Sequence, residues 1–476
     1  MHWLIAALLI FIFQAATILV LEYRRPSNAM AWLFILFLFP TVGFVLYYFL
    51  AREYQRRRRV RKREVIDAQR RAEVIGKSRR LIGKPELMPS PDFAHQERLF
   101  KLLRKAGAAP ITGCNRTQVL TNAEAAYRVM LAAIRRATHH IHFSSYIIRD
   151  DETGRMFREE LIRKARAGVQ VRLLYDGIGS IKLGSGFFAP LKEAGAECAS
   201  FFPFRPSFLK KRMNYRNHRK ILVVDGTSGF VGGINIGDEY LGKHKRLGFW
   251  RDTHLALEGD AVYGLQEVFL RDWETATRRH PHDPVFFPEH ACTGGEAVQI
   301  VAGGPNRRDD AIHETLFAAI SAAKERIWIT TPYFIPDGSI AMALKTAARS
   351  GVDVRLIVPL VPDTYLVHAA TMSYVDELMS YGVRFWQYKR GFMHAKIVIA
   401  DRVLASVGTA NMDLRSFFFN FEVNALLYDM DRIAGLEQDF EQDLLDSVEV
   451  ELSAFRKRSR RAKAKQALAR MLSPLL

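Results

Sequence analysis

The strongest constraint on what this chain can fold into is an internal repeat in the sequence after residue 108. The run GVQVRLLYD at 168–176 recurs as GVDVRLIVP at 351–359, and IHFSSY at 141–146 recurs as IWITTPY at 327–333. Each run is rich in β-branched or aromatic residues and follows a helical pattern, as in a βαβ unit. A repeat of this length is too long for a solenoid. The sequence therefore predicts the α/β class, with two repeated domains related by pseudo-two-fold symmetry.

Each copy ends on the same polar motif, NHRKILVVDGTSGFVGGIN in the first and MHAKIVIADRVLASVGTAN in the second. A histidine is followed after two positions by lysine, after seven by aspartate and after 17 by asparagine, identically in both copies. Because side chains two apart on a strand share a face, each histidine and its lysine should project together. The candidate site residues are His218, Lys220, Asp225 and Asn235 in the first copy, and His394, Lys396, Asp401 and Asn411 in the second.

The chemistry of these residues suits a phosphodiester. If the two copies fold face to face, two imidazoles, two ammonium groups and two amides converge on one pocket. The lysine and amide donors would stabilise the charge on the non-bridging oxygens in the transition state. One neutral histidine can attack phosphorus, while the other donates a proton to the leaving alkoxide and later deprotonates the incoming hydroxyl. This predicts two-step transfer through a phosphohistidine, with no metal and no other cofactor, since the lysines supply the positive charge.

A histidine used in this way needs a partner on its other ring nitrogen. Asp252 and Glu422 follow the two histidines by 34 and 28 residues on strand-like segments, and we predict that they orient the two rings. The alternative is that both form ordinary salt bridges. Asp225 and Asp401 fall at turns, where we expect them to hold backbone or a neighbouring base. The nearby aromatic residues are expected to line the core or lipid tails: Trp250, Phe417, Phe418 and Phe419.

Charge is distributed very unevenly along the chain. The formal net charge is +19, of which residues 52–84 carry +10, residues 456–470 carry +8 and residues 1–51 carry +1. The body from 85 to 455 is therefore neutral. A nucleic-acid enzyme would normally spread positive charge over its binding face. Two short basic flanks favour contact with an anionic membrane surface instead.

The N-terminus predicts a membrane anchor. Residues 3–21 and 29–50 are almost wholly apolar, each about the ~20 residues that a helix needs to cross a bilayer. The short link at 22–28 would make them a hairpin; a cleaved signal peptide is the alternative for the first segment. The predicted division is a transmembrane hairpin at 1–51, a basic linker at 52–108, domains at 109–290 and 291–455, and a basic tail at 456–476.

The basic residues also predict which side of the membrane the domains occupy. The cluster at 52–63 directly follows the second span and outweighs Arg24 and Arg25, so the positive-inside rule places both ends of the hairpin and everything after it in the cytoplasm. Cysteine usage agrees, because the three cysteines show no paired spacing. This argues against a disulfide scaffold or a zinc module and suits a reducing compartment. They are Cys114, Cys198 and Cys292.

The paired motifs resemble a known signature. H-x-K-x4-D-x6-G-[GST]-x-N, present twice, is similar to the phospholipase D superfamily, and the chain resembles bacterial cardiolipin synthases over nearly its whole length. The resemblance implies that two phosphatidylglycerol molecules become cardiolipin and glycerol in the bacterial inner membrane. It also implies that His218 is the nucleophile and His394 the acid and base. Gly233 and Thr409 stand where the pattern often has serine, so the first half lacks a hydroxyl contact to phosphate.

Other functions share these motifs. A phospholipase D that uses water, or a transferase for another headgroup, would need the same catalytic residues. A nuclease is disfavoured by the apolar spans and the neutral body, so we expect phospholipid and bilayer partners and no nucleic acid. A membrane scaffold with a dead site is disfavoured because both sets of histidine, lysine and asparagine are intact.

Overall fold

The computed structural model describes most of the chain, and both halves contribute to one 16-stranded β-sheet. The predicted basic cluster at 52–63 and the link residues Arg24 and Arg25 lie outside the described residues. The described residues are 2–22, 26–50, 72–94, 96–106, 109–203, 214–292, 294–307 and 309–475.

The strands alternate with helices in both halves, as the repeat predicts. The strands of the first half are β1 Ile111–Thr121, β2 His140–Ser145, β3 Gln170–Asp176, β4 Glu197–Phe201, β5 Arg216–Asn217, β6 Ile221–Val224, β7 Ser228–Gly232, β8 Phe249–Arg251 and β9 Thr253–Gly259. Those of the second half are β10 Glu296–Gly303, β11 Arg326–Thr330, β12 Phe334–Ile335, β13 Asp353–Pro359, β14 Arg384–Tyr388, β15 Gly391–Met393, β16 Ile397–Ala400, β17 Leu404–Gly408, β18 Met412–Asp413, β19 Asn420–Leu427 and β20 Ser447–Glu449.

The helices fall into an N-terminal apolar group, those of the two halves and a C-terminal pair. The N-terminal group is α1 His2–Leu21, α2 Pro26–Leu38 and α3 Pro40–Leu50. Before and within the first half lie α4 Pro91–Ala94, α5 Glu97–Lys105, α6 Asn122–Arg136, α7 Glu152–Arg166, α8 Ser185–Glu193 and α9 Ala261–Thr277. The remainder are α10 Ala311–Ala322, α11 Gly338–Arg349, α12 Tyr365–Met379, α13 Leu414–Phe418, α14 Met430–Leu445, α15 Leu452–Arg456 and α16 Arg460–Leu472.

The order of strands is mirrored about the centre of the sheet. It runs β4-β3-β2-β6-β7-β9-β1 from one edge to the centre and β10-β19-β17-β16-β11-β13-β14-β20 from the centre to the other edge. The two central strands, β1 and β10, pair antiparallel, as strands related by a two-fold axis must. The α/β class and the pseudo-two-fold symmetry predicted from the repeat are confirmed.

The two faces of the sheet bury different cores. In β6, Ile221 and Val223 pack into a cluster to which both halves contribute, whereas Leu222 and Val224 pack into a cluster built almost wholly by the first half. Strand β16 repeats this alternation, with Ile397 and Ile399 in the shared cluster. Both faces are covered, which explains why these strands are continuously apolar. The shared core fixes the halves against each other and thereby positions the site between them.

The second predicted span differs from a single helix. The helix breaks at Phe39, and α3 folds back on α2. Gly43 permits this close approach, because a Cβ at that position would lie 2.9 Å from the Ile35 carbonyl oxygen. The rings of Trp32 and Tyr47 meet at 5.5 Å. At 1.5 Å per residue the two helices are only about 20 Å and 17 Å long, short of the ~30 Å hydrocarbon core. Among the described residues, α1 alone is long and apolar enough to cross a bilayer.

The flanks of the two halves are folded onto them. Leu99, Phe100 and Leu103 of α5 are buried in a core cluster of the second half, so the described part of the predicted linker packs on the body. The predicted basic tail forms α15 and α16. Helix α16 packs on α12, where Arg470 pairs with Glu377 at 2.7 Å and Ala469 is buried. The chain therefore returns to the N-terminal helices, and Leu475 packs against them.

Two of the three cysteines are bonded. Cys114 and Cys292 form a disulfide although 178 residues separate them. The expectation of unpaired cysteines suited to a reducing compartment is wrong for this pair. The cause is the topology: β1 carries Cys114, and the segment with Cys292 leads into β10, its partner strand. Cys198 is a free thiol.

Candidate active site

The two histidine motifs meet where the halves face each other. The backbone N–H of His218 donates to the carbonyl oxygen of Phe421 at 3.0 Å, and that of His394 donates to the carbonyl oxygen of Arg251 at 2.7 Å. Short parallel pairings of β5 with β19 and of β15 with β8 support these contacts. Each histidine is thus held by backbone of the opposite half, which places both at the interface between the halves.

The carboxylates that orient the histidines also cross between halves. His218 Nδ1 lies 3.0 Å from both carboxylate oxygens of Glu422, and His394 Nδ1 lies 2.6 Å from Asp252 Oδ2. Chain order would pair each carboxylate with the histidine that precedes it, whereas the structure pairs it with the histidine of the other copy. Both carboxylates are fully buried. Because Nδ1 is engaged in each ring, Nε2 is the nitrogen left to react with a substrate.

Burial sets the protonation of this cluster. It lowers the pKa of His218, and together with the Lys396 charge it lowers the pKa of His394 to about 3, so both rings are neutral in the empty cleft near pH 7. Burial alone would raise the pKa of Asp252, but His394 and Lys396 hold it below its ordinary value. Glu422 is held ionised in the same way by His218 and Lys220.

The two lysines occupy equivalent places. Lys220 Nζ donates to the carbonyl oxygen of His218 at 2.7 Å, and Lys396 Nζ donates to that of His394 at 2.5 Å. Burial lowers their pKa values to about 7 and about 8. Each ammonium group also lowers the pKa of the opposite histidine, which places all four side chains in one electrostatic environment.

The two asparagines differ, although the repeat makes them equivalent. Both ends of the Asn235 amide form hydrogen bonds within the protein. Its Oδ1 accepts from the Ile147 N–H at 3.1 Å, and its Nδ2 donates to the Tyr240 hydroxyl at 3.0 Å. Asn411 is buried too, yet its Oδ1 has no partner among the described residues. Its backbone N–H donates to Ser416 Oγ at 3.0 Å. The side chain of Asn411 is therefore the one with hydrogen-bonding capacity to spare.

Asp225 and Asp401 lie outside the cluster, at the far ends of β6 and β16. Each adopts a left-handed backbone conformation, with φ of 52° and 51°. Asp225 accepts from the backbone N–H groups of 138, 139 and 140, and Asp401 from those of 324, 325 and 326, at 2.7–2.9 Å. These carboxylates anchor the starts of β2 and β11, and none of their hydrogen bonds among the described residues goes to His218 or His394.

Sequence reasoning missed two arginines that join the halves. Arg219, buried between His218 and Lys220, bonds to Asp272 at 2.5 Å and donates across the interface to the carbonyl oxygens of Glu422 and Gly303. From the next strand pair, Arg251 reaches Asp443 of the second half at 2.7 Å. The position of Arg219 could have indicated its role, because a charged residue inside a buried motif requires a partner. The second copy has alanine at the equivalent position.

The glycine that departs from the signature also has a structural cause. A Cβ at Gly233 would lie 2.1 Å from Asp252 Oδ1, so a serine there would displace the carboxylate that holds His394. At the equivalent position the Thr409 hydroxyl donates to the Val423 carbonyl oxygen at 3.2 Å and contributes to lowering the pKa of Glu422. The first copy thus needs glycine where the second can carry a hydroxyl.

Comparison with known proteins identifies the family. A family described as "Cardiolipin synthase, PLD-like domain" matches residues 130–273 and 316–444, and one described as "Phospholipase_D-nuclease N-terminal" matches residues 3–52. "Cardiolipin synthase 2" of Bacillus cereus is 46% identical over 98% of this chain and 90% of its own length. The chain belongs to the cardiolipin synthases of the phospholipase D superfamily. "Cardiolipin synthase" of Geobacillus sp. is 44% identical over 99% of this chain and 93% of its own.

Family membership makes this chain a phosphatidyltransferase. Among solved structures, the phosphatidylserine synthase of Haemophilus influenzae superposes with a TM-score of 0.60 at 13% identity, covering 80% of this chain and all of that one. That likeness shows the shared fold. The apolar N-terminal helix and the N-terminal family match make the cardiolipin synthase a membrane protein.

Proposed function

We propose that this cardiolipin synthase transfers a phosphatidyl group from one phosphatidylglycerol to another, releasing glycerol and forming cardiolipin. One observation carries the proposal: two buried histidines, each fixed through Nδ1 by a carboxylate of the opposite half, share one electrostatic environment with both lysines. Two such rings provide a nucleophile and a separate acid and base for a double displacement at phosphorus.

In the first step, Nε2 of His218 attacks phosphorus and the bond to the glycerol oxygen breaks. His394 supplies the proton for that oxygen: the bound phosphodiester anion raises the pKa of His394, so the ring takes up a proton from solvent when the substrate binds. Lys220, Lys396 and the Asn411 amide hold the non-bridging oxygens as charge develops on them. The products are a phosphatidyl-histidine and free glycerol.

In the second step, His394 takes the proton from a headgroup hydroxyl of the second phosphatidylglycerol. The resulting oxygen attacks phosphorus, and the P–N bond to His218 breaks to release cardiolipin. The hydrogen bond of 2.6 Å between His394 Nδ1 and Asp252 supports the role of His394 as acid and base. A charge-assisted hydrogen bond of this kind stabilises the imidazolium that forms in each cycle.

The proposal is tested with purified enzyme in phosphatidylglycerol vesicles prepared in the presence of a metal chelator. The expected products are a four-chain lipid and free glycerol in equal amounts. Free phosphatidic acid in place of the four-chain lipid would show a hydrolase. A requirement for phosphatidylethanolamine or serine in the vesicles would show another headgroup specificity.

The lowered lysine pKa values predict the pH dependence of the reaction. With pKa values of about 7 for Lys220 and about 8 for Lys396, both ammonium groups lose their protons as the pH rises through this range. We expect kcat/KM, which reports the free enzyme, to fall progressively above about pH 7. Lys220→Arg, which keeps its charge, should move the falling limb of the residual activity upward. A profile that stays flat to about pH 9 would contradict this role for the lysines.

For membrane topology, we propose one crossing by α1 and a re-entrant hairpin formed by α2 and α3. Met30 and Ala31 at the start of α2 line a cavity together with the body of the enzyme, so α2 begins on the side where the body lies. The basic flank after the hairpin favours the cytoplasmic side for the body. The disulfide argues for the opposite side, because such bonds are rare in the cytosol. We place the body on the cytoplasmic side because the +10 flank adjoins the bilayer.

Thiol labelling tests this topology. In a variant with the three native cysteines replaced by serine, His2→Cys should react with a membrane-impermeant maleimide in intact spheroplasts. Ala464→Cys, exposed on α16, should react only after lysis. Labelling of neither before lysis would restore a two-crossing hairpin. Labelling of Ala464→Cys in intact spheroplasts would place the body outside.

The basic face of α16 predicts a salt-dependent contribution to activity. Arg460, Arg461, Lys463 and Lys465 are exposed, and each can contribute about 1 kcal/mol of attraction to an anionic surface. Replacing all four with glutamine should lower activity on anionic vesicles several-fold at low salt and much less at high salt, where the charges are screened. Arg166→Gln, at an exposed position of the first half, is the control. An unchanged salt profile would exclude this role.

A further inference from the structure

A cavity of about 740 Å³ lies beside the start of α2, and its lining does not include His218 or His394. Its volume falls within the roughly 300–1,000 Å³ typical of small-molecule sites. The start of α2, the segment around α13 and the end of α16 form much of its wall, and Asp310, residues 336–338 and Tyr374 of α12 complete it. The residues that the argument uses are Met30, Leu414, Phe418, Phe419, Met471 and Pro474.

The lining of this cavity is mostly apolar, with Asp310, Asp337 and Arg470 as its charged members, and unlike the core it includes exposed side chains. Met30 is 66% exposed and Met471 is 47% exposed, although both contribute to its walls. Large apolar side chains left open in this way mark an interaction site. Because one wall is the start of α2, which belongs to the hairpin that we propose enters the bilayer, the cavity lies next to the proposed membrane surface.

The opposite wall connects the cavity to the catalytic cleft. Helix α13 places Leu414 and Phe418 on the cavity. Between them, Arg415 donates to the side-chain and backbone oxygens of Asn214 at 2.9 and 2.7 Å, four residues before His218. Ser416 accepts from the Asn411 N–H at 3.0 Å. One short helix therefore touches the cavity on one side and the phosphate-binding residues on the other.

We propose that this cavity holds an acyl chain of the phospholipid substrate while its headgroup reaches past α13 into the cleft. The inference rests on the proposed function, which supplies a lipid substrate, and adds the place where its tail is bound. The mostly apolar lining, the position beside the start of α2 and the contact of α13 with Asn411 all suit a chain that enters from the membrane.

The test compares phosphatidylglycerol with long acyl chains and a soluble form with six-carbon chains. Met471→Trp and Leu414→Trp each fill part of the cavity. Each should lower kcat/KM for the long-chain substrate at least about tenfold more than for the short-chain one, corresponding to the loss of about two buried methylene groups. Met342→Trp, at a position 56% exposed on α11, is the matched control and should change neither value. An equal effect on both substrates, or none, would overturn the proposal.

A second measurement does not depend on turnover. In vesicles of phosphatidylglycerol containing a photoactivatable analogue with a diazirine at the chain end, irradiation should label peptides carrying α13 and the end of α16, and Met471→Trp should remove that labelling. Labelling confined to α1 would overturn the site. If these peptides are labelled but no cardiolipin is made, the proposed reaction fails while the binding site stands.

Discussion

Replacing either His218 or His394 with alanine should lower cardiolipin formation by at least about a thousandfold, because the proposed mechanism assigns each ring a separate step. Membrane attachment should be unchanged, since neither side chain contacts α1 to α3. The measurement is the initial rate of cardiolipin and glycerol formation in phosphatidylglycerol vesicles. Near-normal turnover by either variant would contradict the two-histidine mechanism. His282→Ala, at an exposed position, is the control.

A substrate with a good leaving group separates the two roles. Phosphatidyl p-nitrophenol needs no proton on its departing oxygen, so His394→Ala should still release a burst of p-nitrophenolate as the phosphatidyl-histidine forms. His218→Ala should release none, because no nucleophile remains. A burst from His218→Ala and none from His394→Ala would exchange the two assignments.

Glu422→Gln and Asp252→Asn should each lower kcat by about 10²–10⁴, with little effect on membrane binding. An amide can fix the wrong tautomer of its histidine and cannot stabilise the imidazolium, the loss seen when a triad aspartate becomes asparagine. The exposed Glu441→Gln on α14 is the control for removing a carboxylate from the second half. Turnover close to that of the control for both variants would show that the carboxylates are ordinary structural charges.

The crossed pairing makes these two variants distinguishable. Since Asp252 holds His394, the p-nitrophenol substrate should rescue the burst of Asp252→Asn, as it does for His394→Ala. Glu422→Gln weakens the nucleophile His218 and should not be rescued. If each carboxylate served the histidine of its own copy, the rescue pattern would be reversed. The experiment therefore tests the connection between the halves.

The repeat made the α/β class and the pseudo-two-fold symmetry predictable, because each copy carries equivalent strands and helices, whereas the order of the strands comes from the structure. It also made the histidines and lysines predictable, since spacing along one strand determines which side chains share a face. The crossing of Asp252 and Glu422 could not be derived in this way. In a chain with two equivalent repeats, the sequence pattern is the same whether a carboxylate contacts the histidine of its own copy or the histidine of the other copy.

Other differences arise from contacts between distant segments. Nothing local joins Cys114 to Cys292; only the pairing of β1 with β10 does. Pro40 is compatible with a kinked membrane helix as well as with a reversal of direction, and the choice depends on the close approach of Gly43 to Ile35. Asn235 is diverted from the cleft by Tyr240, a partner that the second copy does not supply at that position.

The reversal at Phe39 has a consequence for the lipid supply of the cell. A hairpin about 20 Å deep cannot span the ~30 Å hydrocarbon core, so in the proposed topology both of its ends lie on the side of the catalytic body. In that topology donor and acceptor would both be taken from the monolayer next to the body, because the proposed acyl cavity is lined by the start of α2. Cardiolipin would then start out entirely on one leaflet, and its appearance on the other would require a separate lipid-flipping activity.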